Sequence, residues 1–242
     1  MAVTLASTVT GTNFSGSGVT VTAANVVVSA GDIIVVEFGW RRNAAQTLSS
    51  VTFNASATGL SAITGASVQN PDASAEQNAY VGVGLSGTHD VVVTLSANSP
   101  VMMVIVRVLS GADTGSPYGT VVNSNGNDNP SDTVSSAVGG LCLDAFILRN
   151  DDTMTADSGQ TNTSSLGVGQ GTQMGFSVES GAASVSMGWT GNVGGDGYAY
   201  YVIPITALAG GGGTTIAPQL GSVPMTGRAL GCGLGIGLPD QP

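Results

Sequence analysis

Short runs of Val, Ile and Thr recur along the chain, broken by Gly, Ser, Asn and Asp, and no apolar period of about 3.6 residues persists for three turns. The pattern predicts strands at 3–10, 18–22, 32–40, 50–54, 61–67, 78–84, 90–96 and 101–110. Further strands are expected at 119–122, 141–149, 167–171, 173–180, 183–190 and 198–208. Between them stand segments with turn chemistry: 86–90 (SGTHD), 123–130 (NSNGNDNP) and 191–197 (GNVGGDG). The runs at 101–110 and 198–208 are apolar at both alternating positions, so they should be central strands covered on both faces. Ile34, Val36, Phe38, Val104, Val106, Phe146, Leu148, Val202 and Ile203 are the expected core.

The chain also repeats itself. The segment 31–43 (GDIIVVEFGWRRN) matches 140–151 (GLCLDAFILRND): each is an apolar strand that opens after Gly and closes on Arg and Asn. A variable Ser/Thr/Ala region follows in both halves, then a short alternating strand (90–95 or 183–189), then a long apolar strand. The expected fold is therefore all-β: an antiparallel two-sheet, jelly-roll-like sandwich over residues 1–209, pseudo-duplicated from two four-strand halves. Composition changes after Ala209. Gly210 to Gly213 form a tether, and residues 210–242 read as a Gly/Pro-rich arm that cannot bury enough surface to order by itself.

Composition narrows the function. Only 8% of the 242 residues are charged, the net charge is −10, and all five bases are Arg. Nucleic-acid binding needs clustered cations to neutralise phosphates, so it is not expected. No apolar run approaches the about 20 residues of a membrane helix, and the first residues lack the basic and apolar regions of a signal peptide. Cys142 and Cys232 can be read as a disulfide or as one buried and one tail thiol; nothing pairs them locally, which favours the second.

Candidate chemistry is sparse. His89 and Asp90 stand at a turn entering a strand, but a Ser/His/Asp hydrolase also needs a serine elbow, and no Gly-x-Ser-x-Gly with strand–helix context occurs. The segment 123–132, with Asp151, Asp152 and Asp157, offers oxygen ligands to Ca²⁺, yet it lacks the Asp-x-Asp-x-Asp-Gly loop and its closing Glu; an Asn/Asp/Gly turn is the preferred reading. Glu37, Glu76 and Glu179 are the only glutamates, a thin basis for a glycosidase pair. Trp40, Trp189, Tyr80, Tyr118, Tyr198, Tyr200 and Tyr201 suit a core better than a sugar-stacking platform. No catalytic residue, metal ligand or cofactor is expected. Arg41 and Arg42 form the only basic doublet, either a solvated strand end or a bidentate partner for an acidic surface.

The order of motifs resembles β-sandwich proteins of tailed-phage genomes. The segment 30–41 (AGDIIVVEFGWR) leads to 50–53 (SVTF), a Tyr-containing strand at 78–83 (NAYVGV), then 87–95 (GTHDVVVTL) and 108–117 (VLSGADTGSP). The tail at 216–229 (IAPQLGSVPMTGRA) is similar to extensions found in phage structural genes. Together these matches cover most of residues 30–229; Arg41, Arg42 and the 123–132 segment depart from the pattern. The resemblance implies a virion structural protein that is not an enzyme. The leading reading is a capsid decoration (cement) protein assembled in the host cytoplasm onto the particle exterior, with the major capsid protein and copies of itself as partners. The alternative is a tail-fibre or surface adhesin module that binds host glycans. The arm residues expected to contact the partner are Ile216, Leu220, Val223, Met225, Arg228, Leu230, Leu234, Ile236 and Leu238.

Overall fold

A computed structural model describes residues 1–42, 46–149, 153–167, 170–193 and 197–209. The described residues form strands, turns and loops, with no helix. The first half contains β1 (Thr4–Asn13), β2 (Gly18–Val28), β3 (Ile33–Arg41), β4 (Leu48–Phe53) and β5 (Leu60–Ala62). It continues with β6 (Val68–Gln69), β7 (Ala75–Gly82), β8 (Gly87–Ser99) and β9 (Met102–Ser110). The second half contains β10 (Val122–Gly126), β11 (Ser131–Val134), β12 (Leu141–Leu148) and β13 (Thr155–Ala156). Its remaining strands are β14 (Thr161–Leu166), β15 (Gln173–Ser180), β16 (Val185–Thr190) and β17 (Tyr198–Ile205).

All pairings are antiparallel, and they nest. In the first half β1 pairs β9, β2 pairs β8 and β3 pairs β7; in the second β10 pairs β17, β11 pairs β16 and β12 pairs β15. A long antiparallel ribbon folded over in this way is a jelly roll. Its rolling adds the contacts β3–β9 and β4–β8, matched by β12–β17 and β13–β16. The large sheets run β1-β9-β3-β7-β5 and β10-β17-β12-β15-β14, and the small ones β2-β8-β4 and β11-β16-β13. The two halves therefore correspond strand by strand. Phe38 and Phe146 mark the same place: each lies in the central apolar strand, opposite Val104 and Tyr200 respectively.

The all-β antiparallel sandwich class and the duplication hold, on a larger scale than two four-strand halves sharing one sandwich. Each half closes its own sandwich, and the two large sheets pack back to back. Three apolar layers result. One joins β2-β8-β4 to the first large sheet through Val91, Val93, Ile34, Val36 and Phe38. A second joins the large sheets through Ile33, Val35, Ile105, Ala145, Ile147 and Ile203. The third joins the second large sheet to β11-β16-β13 through Phe146, Leu148, Met187, Trp189 and Val202. Strands β3, β9, β12 and β17 thus sit between two cores, which is why their sequences are continuously apolar rather than alternating. All nine expected core residues are buried.

Close packing explains two glycines. A Cβ on Gly175 would lie 2.1 Å from the Phe146 ring, which stands edge-on to Trp189 at 4.9 Å. A Cβ on Gly39 would meet Ile147 across the central layer at 2.6 Å. Several boundaries differ from expectation. The 123–132 segment, read as a turn, holds most of β10 and the start of β11; of the expected 61–67 strand only Ser61 and Ala62 lie in β5, and a turn follows, where the Ala66 N–H donates to the Ile63 carbonyl. Described residues of 167–171 lie in a loop after β14, with Gly167 and Gly171 at φ 78° and 67°. Polar sequence of this kind makes edge strands and loops equally well, so periodicity alone does not separate them.

Candidate functional site

The strongest electrostatic feature is inside the molecule. Arg107 on β9 and Glu37 on β3 both face the central layer, with side chains fully buried and Nε 2.7 Å from Oε2. The contact is an ion pair whose angle falls outside hydrogen-bond geometry. The guanidinium reaches across the layer, where Nη1 donates to the Ser177 carbonyl and Nη2 to the Asp144 carbonyl (2.7 Å). It also lies over the Phe176 ring, 5.2 Å from its centroid. Beside it the Gln77 amide donates to the Ala145 carbonyl at 3.1 Å. Donors from the first sandwich thus use the second lone pairs of carbonyls in the second. Burial pushes the Glu37 carboxyl up to about 7, against the opposing pull of Arg107.

A second polar centre lies in the core of the second sandwich. The buried carboxylate of Asp144 accepts from Ser177 Oγ (2.6 Å), Trp189 Nε1 (2.9 Å), Tyr200 Oη (2.9 Å) and Gln160 Nε2 (3.1 Å). Gln160 is the hinge of this set, because its Oε1 accepts the Gly188 N–H of β16. The cluster ties β12, β15, β16 and β17 together. Burial raises the Asp144 pKa while its donors and Arg107 pull it down, and burial likewise holds Tyr200 and Tyr201 well above the usual phenol range. These groups are tuned by enclosure and are out of reach of a solvent-borne substrate.

The exposed candidate is a groove of about 630 Å³ on the outer face of β4 and β8, where Ser50, Thr52, Thr88, His89, Asp90 and Thr94 line the walls. Alternation produces it: Val51, Phe53, Val91, Val93 and Leu95 point into the sandwich, which leaves their neighbours on the outer face. His89 lies within β8, opposite Val26, rather than in a turn before the strand, and its ring stands edge-on to Phe53 at 5.1 Å. The Asn25 N–H donates to Asp90 Oδ1 at 2.9 Å.

The other residues singled out by sequence scatter. Arg41 closes β3, and Arg42 pairs with Glu76 at 3.4 Å, so the charge of Arg42 is answered within the chain. Asn123 and Asn125 donate to the Gly65 and Gln69 carbonyls at 2.8 and 2.9 Å, and Ser124 to Asp132 at 2.6 Å. The Asn-rich segment therefore binds the turn before β6 and β6 itself; Asp151 and Asp152 lie outside the described residues. Among the described residues no group of three or more His, Cys, Asp or Glu is placed to hold a metal ion. Trp40, Trp189, Tyr198, Tyr200 and Tyr201 are buried, so no aromatic sugar platform forms from them. Cys142 is a buried free thiol, which burial pushes up to about 11. Cys232 and the arm residues Ile216, Leu220, Val223, Met225, Arg228, Leu230, Leu234, Ile236 and Leu238 lie outside the described residues. No helix of the described residues is long and apolar enough to cross a membrane.

Sequence reasoning missed Arg107 and Asp144, and weighed Glu37 only as part of a glycosidase pair. The available signal was a single charge inside an otherwise apolar run, in IIVVEFGW, MMVIVRVL and LCLDAFIL. Comparison with protein-family models, curated proteins and solved structures finds no match.

Proposed function

We infer that the chain is a phage virion structural protein of the capsid-decoration type, which bridges neighbouring capsid subunits on the particle exterior after assembly in the host cytoplasm. The observation that carries this reading is a convergence at one end of the body. Val138 and Leu208 stand exposed there, at 89% and 46%. The adjoining Gly139 lies against Ala2 and Ala207, and its carbonyl accepts the Val3 N–H at 2.7 Å. The chain passes from this same end into the Gly210 to Gly213 tether and the apolar positions beyond it.

An apolar end next to the root of an apolar, Pro-interrupted arm suits attachment to another protein's surface, where the body supplies a rigid abutment and the arm an extended contact. Jelly rolls are frequent in viral coat proteins; that is support by fold analogy. The mechanism is mechanical: apolar area buried between neighbouring subunits opposes internal pressure, and no catalysis is required. The major capsid protein and further copies of this chain are the proposed partners. Truncation after Ala209 tests the reading. The shortened protein should fold with unchanged thermal stability while its occupancy on particles falls sharply; equal occupancy would refute the arm as anchor.

A further inference from the structure

We propose that the groove on β4 and β8 is a binding site for a neutral oligosaccharide. The site uses a different face of the body from the arm root, and it stands or falls independently of the decoration reading. Its floor carries ordered hydroxyls: Ser50 is in register with Thr94, and Thr52 with Val92. Beyond the lining, on the other side of β8, Thr20 and Thr22 face the same two positions and continue the array. Neighbouring strands lie about 4.8 Å apart and alternate side chains on one strand about 6.8 Å apart. At those separations the hydroxyls reach different hydroxyl groups of an extended ligand and do not crowd one.

The far end of the groove is closed by the turn at Asn54 and Ala55, whose φ values of 53° and 55° are those of a two-residue hairpin turn between Phe53 and Ser56. Here Asn54 and Asp90 add an amide and a carboxylate, groups that bind sugar hydroxyls in pairs, while Val92 and Ala55 offer apolar contact to the C–H faces of the ring.

Charge selects the ligand class. Among the described residues no Arg lines the groove; its ionisable side chains are Asp90 and His89, whose half-buried ring packs on Phe53, and the chain carries a net charge of −10. Phosphorylated, sulfated or uronate ligands would be repelled and would find no guanidinium to pair with. A neutral polyhydroxyl chain meets neither obstacle. It needs many modest hydrogen bonds from rigidly held side chains, and three paired strands provide that rigidity.

The test is affinity electrophoresis of the full chain in native gels containing neutral polysaccharides (dextran, galactomannan, hydroxyethyl cellulose and soluble starch), with alginate and hyaluronan as anionic counterparts. At least one neutral polymer should retard the protein, and neither anionic one should. The double variant Thr52→Val/Thr94→Val keeps the strand-forming shape and removes two hydroxyls, so retardation should weaken about tenfold. Thr133→Val, on the outer face of the other small sheet, should leave it unchanged. Circular dichroism and melting of each variant confirm folding. Should Thr52→Val/Thr94→Val fail to fold, Thr52→Ser/Val92→Thr replaces it: the hydroxyls remain, so binding should persist, and its loss counts against the proposal. Absence of retardation by all four neutral polymers, retardation only by the anionic ones, or an undiminished shift in a folded Thr52→Val/Thr94→Val would overturn the assignment.

Discussion

Arg107 stands 2.7 Å from Glu37 at the boundary between two sandwiches, and neither side chain has any solvent exposure. The second sandwich has apolar residues at the corresponding places. Ala145 precedes Phe146 as Glu37 precedes Phe38, and Ile203 lies three residues after Tyr200 as Arg107 lies three after Val104. One half thus supplies the charge and the other the main-chain carbonyls that receive it. Removing the carboxylate strands the Arg107 charge in an apolar layer, at a cost of about 3–5 kcal/mol. Glu37→Ala should show a loss of that size in urea unfolding above about pH 7, where Glu37 is ionised. The paired change Glu37→Ala/Arg107→Ile, which copies the second sandwich, should recover most of it.

The same pair makes stability depend on pH in an unusual direction. In the folded chain Glu37 holds its proton up to about 7, whereas in the unfolded chain it releases it near 4.5. Between these values the native state binds more protons than the unfolded state, so the Glu37 contribution to stability falls as pH rises through that window. The size is on the order of 3 kcal/mol. Asp144, whose pKa is also raised, adds a slope of the same sign. Urea midpoints should therefore drop from about pH 4.5 to 7. Glu37→Gln should make the drop smaller, leaving the share of Asp144, and a midpoint that rises with pH there would contradict the placement of Glu37.

The core of the second sandwich gives a packing test. Phe146→Ala should cost about 3–5 kcal/mol, since the ring is enclosed between Gly175 and Trp189. Gly175→Ala should cost about 1–3 kcal/mol by overpacking the same space. Equilibrium denaturation measures both, and a loss below about 1 kcal/mol for Phe146→Ala would contradict the assigned core.

Asp144→Asn keeps one acceptor oxygen for the three donors on Oδ2 (Trp189, Tyr200 and Gln160) and sets an NH2 group opposite the Ser177 hydroxyl on Oδ1, which must turn from donor to acceptor. A loss of about 1–3 kcal/mol is expected. Trp189 and Tyr200 both donate to Oδ2, so an amide oxygen in that place keeps them fixed: near-ultraviolet circular dichroism should stay close to that of the parent, while urea unfolding records the loss.

The central strands were readable from sequence because burial on both faces leaves a run such as MMVIVRVL with little polar character. The repeat was readable for the same reason, since β3, β9, β12 and β17 are its most constrained parts. The edge strands β10, β11, β13 and β14 were not, because Asn, Ser, Thr and Gly at half-exposed positions write no period. Nor did alternation tell one sandwich from two: a strand covered by a second sheet and one covered by a whole second sandwich have the same apolar sequence. The β4–β8 groove was hidden in the commonest pattern of all, the polar half of an alternating strand. Only pairing shows that Ser50, Thr52 and Thr94 share one surface.

The claim that the chain decorates a capsid is tested most directly by its copy number relative to the major capsid protein in purified particles, measured by quantitative mass spectrometry of the intact virion. The account predicts a stoichiometric component, present in simple ratio to the capsid subunits and lost from the exterior on protease treatment. A handful of copies per particle, in ratio to the tail proteins instead, would contradict it and assign the chain to a fibre.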